Sequence, residues 1–184
     1  MKLSDEIKIN LLKLARKTIE EKLYKTSNIE VNLDFEELKS VYGAFVTLHI
    51  HKRLRGCIGN IEGYHSLKET IRNMAISSAF EDPRFQSLTA KEFDSVDIEI
   101  TILSPLEDSC LEEIKPMIHG VVLSQGYRQS TFLPQVWEQL PDKDQFLSHL
   151  SMKAGLSSEA YKDPQTKFQT YTGLVFSEKE FKLI

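Results

Sequence analysis

An α+β fold is predicted by three features of the sequence. Amphipathic helical stretches with capping boxes alternate irregularly with strand-like segments, rather than in a regular βαβ order. Val96 to Leu103 alternates cleanly, as an antiparallel strand with one polar face does. Gln125-Gly126-Tyr127 sits between the segments 120–124 and 128–133 as a hairpin turn would.

In chain order, Ser4 to Lys25 predicts an amphipathic helix. Ile7, Leu11, Ala15, Ile19 and Leu23 form its stripe, Leu14 widens it, and Ser4 caps it ahead of Asp5 and Glu6. A polar connector runs from Thr26 to about Asn32. Tyr42 to His51 is the first strand, with Ala44, Val46, Leu48 and Ile50 on one face and Phe45, Thr47, His49 and His51 on the other. After the basic turn Lys52-Arg53, Leu54-Arg55-Gly56-Cys57-Ile58-Gly59 reads as a short strand or a glycine-kinked return.

Ser66 and Glu69 form a capping box for a helix with Leu67, Ile71, Met74, Ala75 and Ala79 inward, ending near Pro83. Thr89 and Glu92 form a second box on a short helical turn. Beyond Ser104-Pro105 an irregular stretch leads to the hairpin of 120–124 and 128–133. Pro134 opens a helix toward Leu140, and Asp142 to Gln145 cap another that packs Phe146, Leu147 and Leu150 and stops at Gly155. Lys167 to Phe176 is read as one final strand. No repeat or linker divides the 184 residues, so a single domain is expected.

A chain of this length buries about 70% of its unfolded surface and needs no staple to fold. With 41% hydrophobic and 27% charged residues it is an ordinary globule. The net charge of −4 argues against a nucleic-acid partner held by bulk phosphate neutralisation. No apolar run approaches the roughly 20 residues of a membrane helix, so no membrane partner is expected. Two cysteines and no visible signal peptide point to the cytoplasm.

Candidate chemistry centres on Cys57, which lies between Gly56 and Gly59 and beside Arg55. A guanidinium favours the nucleophilic thiolate, and glycine-flanked N–H groups can hold an oxyanion. Glu99, or a histidine, would be the base. The competing reading is a small buried thiol with glycines that only turn the chain. Arg55, Arg84 and Arg128 lie in or beside turns and form a candidate anion pocket, against the plainer reading of loop-locking ion pairs such as Asp82 with Arg84. His49 and His51, with Asp97 or Glu99, are a remote candidate metal set. Phe132, Trp137 and Phe146 recur at core spacing and read as packing. No cofactor is expected, since the glycines match neither a P-loop nor a dinucleotide fingerprint.

Taken together, Leu54-Arg55-Gly56-Cys57-Ile58-Gly59, Ala79-Phe80-Glu81-Asp82-Pro83-Arg84-Phe85, Val96 to Pro105, Thr131 to Pro141 and Lys153-Ala154-Gly155-Leu156 resemble the AMMECR-type domain family. Its bacterial members are called component A of the AmmeMemoRadiSam system. The resemblance runs from Ile7 to Phe176, with the motifs between about 42 and 176. It implies a mainly antiparallel sheet flanked by helices, a smaller second lobe and a cleft lined by the Leu54–Gly59 motif.

It also implies a radical-SAM enzyme and a Memo-like protein as partners. The expected function is an accessory component of a modification or biosynthetic pathway that binds a small substrate or partner segment. Arg55, Gly56, Gly59, Asp82, Arg84, Arg128 and Gln135, which lie in or beside the matching motifs, are the expected ligand-binding residues. The alternative is an enzyme with Cys57 as nucleophile. Two departures reduce the charge available to a cleft. Thr172 stands where relatives tend to carry arginine, and Gln125 to Ser130 lacks the relatives' richness in glycine and arginine.

Overall fold

A computed structural model describes residues 2–184. The chain forms two compact units: Met1–Leu103 with Leu174–Ile184, and the smaller Ser104–Gly173.

In the first unit, α1 (Asp5–Tyr24) begins where Ser4 accepts from the Ile7 N–H at 3.3 Å and ends at Lys25 in the left-handed region. The strands β1 (Ala44–Ile50), β2 (Arg53–Asn60), β3 (Val96–Leu103) and β8 (Gly173–Ser177) form a sheet of order β2-β1-β3-β8. β1 is antiparallel to both β2 and β3. α2 (Leu67–Phe80) carries the Ser66/Glu69 capping box, and α3 (Ala90–Phe93) the Thr89/Glu92 box. The inner sheet face, Ala44, Val46, Leu48, Ile98, Ile100 and Ile102, is fully buried with Leu11, Ile19, Leu67 and Ile71 from the helices. Each such side chain contributes roughly 1.5–3 kcal/mol of burial. Arg16 and Glu178 form an ion pair in this unit, and Glu178 also accepts from the Ile98 N–H at 2.9 Å.

The second unit is built on β4 (Glu107–Ser109), β5 (Gly120–Gln125), β6 (Arg128–Phe132) and β7 (Lys167–Tyr171), in the order β4-β7-β5-β6. The hairpin turn is Gly126-Tyr127, with Gly126 at φ +62° and Gln125 paired to Arg128. α4 (Lys143–Lys153) is capped by Asp142, which accepts from the Gln145 N–H at 2.9 Å. Its Phe146 ring stacks on Trp137 at 3.6 Å between centroids, with the Phe132 ring edge-on at 5.2 Å. These aromatics are core, and the indole N–H of Trp137 is satisfied by the His119 carbonyl at 2.7 Å.

Three sequence expectations need correction. The segment Lys167 to Phe176 is two strands, broken at Thr172, with β7 in one sheet and β8 in the other. Ser104 and Thr172 bond each other where the chain crosses between sheets: the Ser104 N–H donates to the Thr172 carbonyl and the Thr172 N–H to Ser104 Oγ, both at 2.9 Å. Pro134–Glu138 is a 3-10 turn rather than an α-helix. His51 is not in β1: with Lys52 it makes a two-residue turn, both at positive φ (49° and 65°), closed by the Ile50–Arg53 pair. That is the backbone of a type I′ hairpin, whose twist suits the flanking strands.

Candidate functional site

The Leu54–Gly59 motif lies within β2, and strand register decides what its side chains meet. Opposite β1 and β3 the outer-face rows are Gly59–Phe45–Thr101, Cys57–Thr47–Glu99 and Leu54–His49–Asp97. Cys57 is half-buried, and the Thr47 hydroxyl donates to its Sγ at 3.2 Å. Glu99 is one strand further on. At a strand spacing of about 4.8 Å its Cα stands about 9.6 Å from that of Cys57, with Thr47 between them. The thiol and the expected base thus share a row without being adjacent.

Both glycines have packing reasons. A Cβ on Gly56 would sit 2.1 Å from the Ser78 carbonyl oxygen of α2, and one on Gly59 would sit 2.3 Å from the Phe45 ring. Gly56 therefore lets the helix close on the sheet, and Gly59 leaves room for an aromatic ring. Ser78 reinforces the first contact: its hydroxyl donates to the Val46 carbonyl at 2.6 Å and accepts from the Ile58 N–H at 3.0 Å.

The Cys57 backbone is clamped by the loop after α2. Asp82, 4% exposed, accepts from the Cys57 N–H at 2.9 Å, from the Arg84 N–H at 3.1 Å and from the Arg84 guanidinium at 2.7 and 2.9 Å. Arg84 closes the ring by donating to the Cys57 carbonyl at 3.0 Å. The Arg84 hydrogen bonds hold the Asp82 carboxyl well below the usual carboxylate range, against the opposing effect of burial. The same pairing raises the pKa of Arg84.

Arg55 is fixed in a parallel way. Its Nε donates to Glu92 Oε1 at 2.9 Å and its Nη2 to Glu92 Oε2 at 3.3 Å and to the Gln86 carbonyl at 2.9 Å. Glu92 also caps α3 by accepting from the Thr89 N–H and hydroxyl at 2.9 and 2.8 Å. The Arg55 bond outweighs desolvation and holds the Glu92 carboxyl down at about 2. Both guanidinium groups lie against the Phe85 ring, Arg55 at 5.8 Å and Arg84 at 5.5 Å from its centroid.

Among the expected site residues, Arg55, Gly56, Cys57, Asp82 and Arg84 are brought together. Arg55 and Arg84 are each committed to a carboxylate, which matches the ion-pair reading and leaves neither guanidinium as a freely convergent anion clamp. Arg128 and Gln135 belong to the second unit. There Arg128 donates to the Gly155 carbonyl and lies over the Tyr127 ring, and Gln135 is in the 3-10 turn. The Cys57 and Ile58 N–H groups are spent on Asp82 and Ser78, so they form no oxyanion hole.

His49 and His51 do not share a strand face, because His51 is in the turn. They border one groove of about 790 Å3 with Asp97. Among the described residues no His, Cys, Asp or Glu group of three or more is arranged to hold a metal. Thr47, Ser78, Phe85 and the Glu92 partner of Arg55 were missed by the sequence reading. Glu92 carried a signal as a capping residue, but its pairing with Arg55 spans 37 residues of chain.

The AMMECR1 family profile matches residues 12–176. A Methanosarcina mazei protein is 40% identical over 183 residues, spanning 92% of this chain and 90% of its own. Protein NEQ441 of Nanoarchaeum equitans is 35% identical over 180 residues, spanning 92% of this chain and 99% of its own. The crystal structure of the uncharacterized protein PH0010 from Pyrococcus horikoshii matches with a TM-score of 0.84 at 33% identity, over 97% of this chain and 95% of that one. The residues clamped around Cys57 therefore sit in a chain that belongs to the AMMECR1 family.

Proposed function

We propose that the protein is an accessory, ligand-presenting component of a radical-SAM-linked modification or biosynthetic pathway in the cytoplasm. The row Cys57–Thr47–Glu99 meets a small substrate or a segment of a partner. One observation carries this reading: the Cys57 and Ile58 N–H groups and Nε and Nη2 of Arg55 are consumed in holding the fold. Asp82 and Arg84 hold the Cys57 backbone, Ser78 takes the Ile58 N–H, and Glu92 binds Arg55. What remains presented is a partly buried thiol on a rigid strand, a geometry suited to binding more than to acid–base turnover. The radical-SAM enzyme and the Memo-like protein enter through the family resemblance. Anaerobic co-purification from native cells tests this. Stoichiometric recovery of either partner, weakened by Cys57→Trp, is the expected result, and recovery of neither counts against it.

A second reading, Cys57 as a covalent nucleophile, is favoured by the Thr47 hydroxyl bonded to Sγ and by Glu99 in the same row. Full pathway activity in Cys57→Ala would end it, whereas loss of activity with partner binding retained would favour it over the first.

A further inference from the structure

Beside the β1–β2 turn, a depression of about 560 Å3 is lined by Ile50, His51, Arg53, Leu54, Arg55 and Glu92. The ladder pairs Leu48 with Gly56 but His49 with Leu54, so Arg55 is the extra residue of a β-bulge. Bulges re-aim side chains, and this one takes Arg55 out of the regular pairing. Its side chain is 15% exposed, and Nε and Nη2 are satisfied by Glu92 and Gln86. Nη1 is buried and finds no hydrogen-bond acceptor among the described residues. A buried charged donor left unpaired is costly, and native proteins retain few of them.

The depression also carries an excess of positive charge. Arg53 and Arg55 face a single carboxylate, Glu92, whose oxygens are already shared between Arg55 and Thr89, and the His51 ring adds a further polar group. In a chain of net charge −4 this is a local reversal of sign. Donors on two arginines and an imidazole suit the several oxygens of a tetrahedral phosphate better than the two coplanar oxygens of a carboxylate. Ile50 and Leu54 add an apolar wall that fits the organic part of an ester.

We propose that this depression binds a phosphate monoester, with the exposed Arg53 as its first charged donor and Arg55, whose side chain must shift to bring the buried Nη1 to the ligand, as its second. The site is independent of the proposed role of Cys57. The test is an NMR titration of the arginine Nε–H resonances at constant ionic strength, with inorganic phosphate, phenyl phosphate and acetate as probes. Saturable shifts at Arg53 and Arg55 are expected, with phenyl phosphate binding more tightly than inorganic phosphate. Arg53 is exposed, so Arg53→Gln leaves the core intact. That variant should weaken phosphate binding about tenfold. Cys57→Ala should bind phosphate unchanged even if it loses its partner, which separates the two proposals. Shifts that never saturate, that survive Arg53→Gln, or that acetate reproduces equally would overturn the assignment.

Discussion

The Cys57 N–H donates to Asp82 Oδ2 at 2.9 Å across 25 residues of sequence, and Arg84, bound to the same carboxylate, donates back to the Cys57 carbonyl at 3.0 Å. A loop beyond the end of α2 thereby fixes the backbone of the strand residue at the centre of the motif. Gly56, with no Cβ, lets α2 close on the strand ahead of that loop, and the carboxylate ties the two together.

Removing the carboxylate should therefore loosen the strand as well as the loop. Asp82→Ala leaves the N–H groups of Cys57 and Arg84 without their acceptor, one of them in the sheet. Such losses cost about 2–4 kcal/mol when a buried charged partner is deleted. Asp82→Asn keeps an acceptor oxygen and should lose less. Urea denaturation of the two variants measures the difference, and a wild-type midpoint for Asp82→Ala would show that the clamp adds nothing to stability.

The acid limb of stability follows from the direction of two shifts. Asp82 and Glu92 are both held below their ordinary values in the folded protein, Glu92 at about 2. In the unfolded chain they protonate near about 3.9 and 4.3. Above about pH 5 both are ionised in either state, and their contribution is fully present. As pH falls below about 4 the unfolded chain takes up protons first, so stability drops. The drop continues to about pH 2 for Glu92 and lower still for Asp82. Urea midpoints measured down this range should slope less steeply in Glu92→Gln than in wild type, and equal slopes would contradict the assignment.

What was legible in the sequence was local. Ser4, Ser66 with Glu69, Thr89 with Glu92, and Asp142 announce helix starts because a cap is a contact over three or four residues. The alternation of Val96 to Ile102 gave both the strand and its buried face. Long-range pairing was not legible. Lys167 to Phe176 reads as one strand because strand pattern does not record which sheet receives it, and the change at Thr172 rests on Ser104, 68 residues earlier. His51 and Lys52 take positive φ without a glycine or asparagine to signal it. In the candidate site, Cys57 and Glu99 were singled out by residue type, but Thr47 between them became visible only through register. The arginines read as free charge, but each is paired with a carboxylate distant from the motif in sequence or hidden in its loop, Arg55 with Glu92 and Arg84 with Asp82.

The packing role of the first motif glycine gives a sharper prediction than its place beside a cysteine. In Gly56→Ala the new methyl would lie 2.1 Å from the Ser78 carbonyl oxygen, and that atom is helix backbone, not a flexible tip. Either α2 shifts away from β2 or the strand bends. Both break the Ser78 bonds to Val46 and Ile58. Overpacking of this kind costs about 1–3 kcal/mol, and the lost bonds push toward the upper end. Thermal unfolding of Gly56→Ala should show a clear loss, whereas a wild-type midpoint would mean the helix–strand contact is less tight than the geometry requires.

Thr47 offers a test of the cysteine that leaves the cysteine in place. Its hydroxyl donates to Cys57 Sγ at 3.2 Å from the adjoining strand, and valine keeps the shape while removing the donor. Alkylation proceeds through the thiolate, and a hydrogen bond to a charged sulfur stabilises that form. Loss of the donor in Thr47→Val should slow labelling at Cys57 about three- to tenfold near neutral pH. Cys110 is exposed and lies in the other unit, so its labelling rate serves as the internal control and should not change. Mass spectrometry of partially labelled protein reads both sites at once. Faster labelling of Cys57 in the variant would mean that the hydroxyl shields the sulfur instead of supporting its charge. In that case the nucleophile reading would keep only the place of Glu99 in the same row, and the binding reading would gain ground.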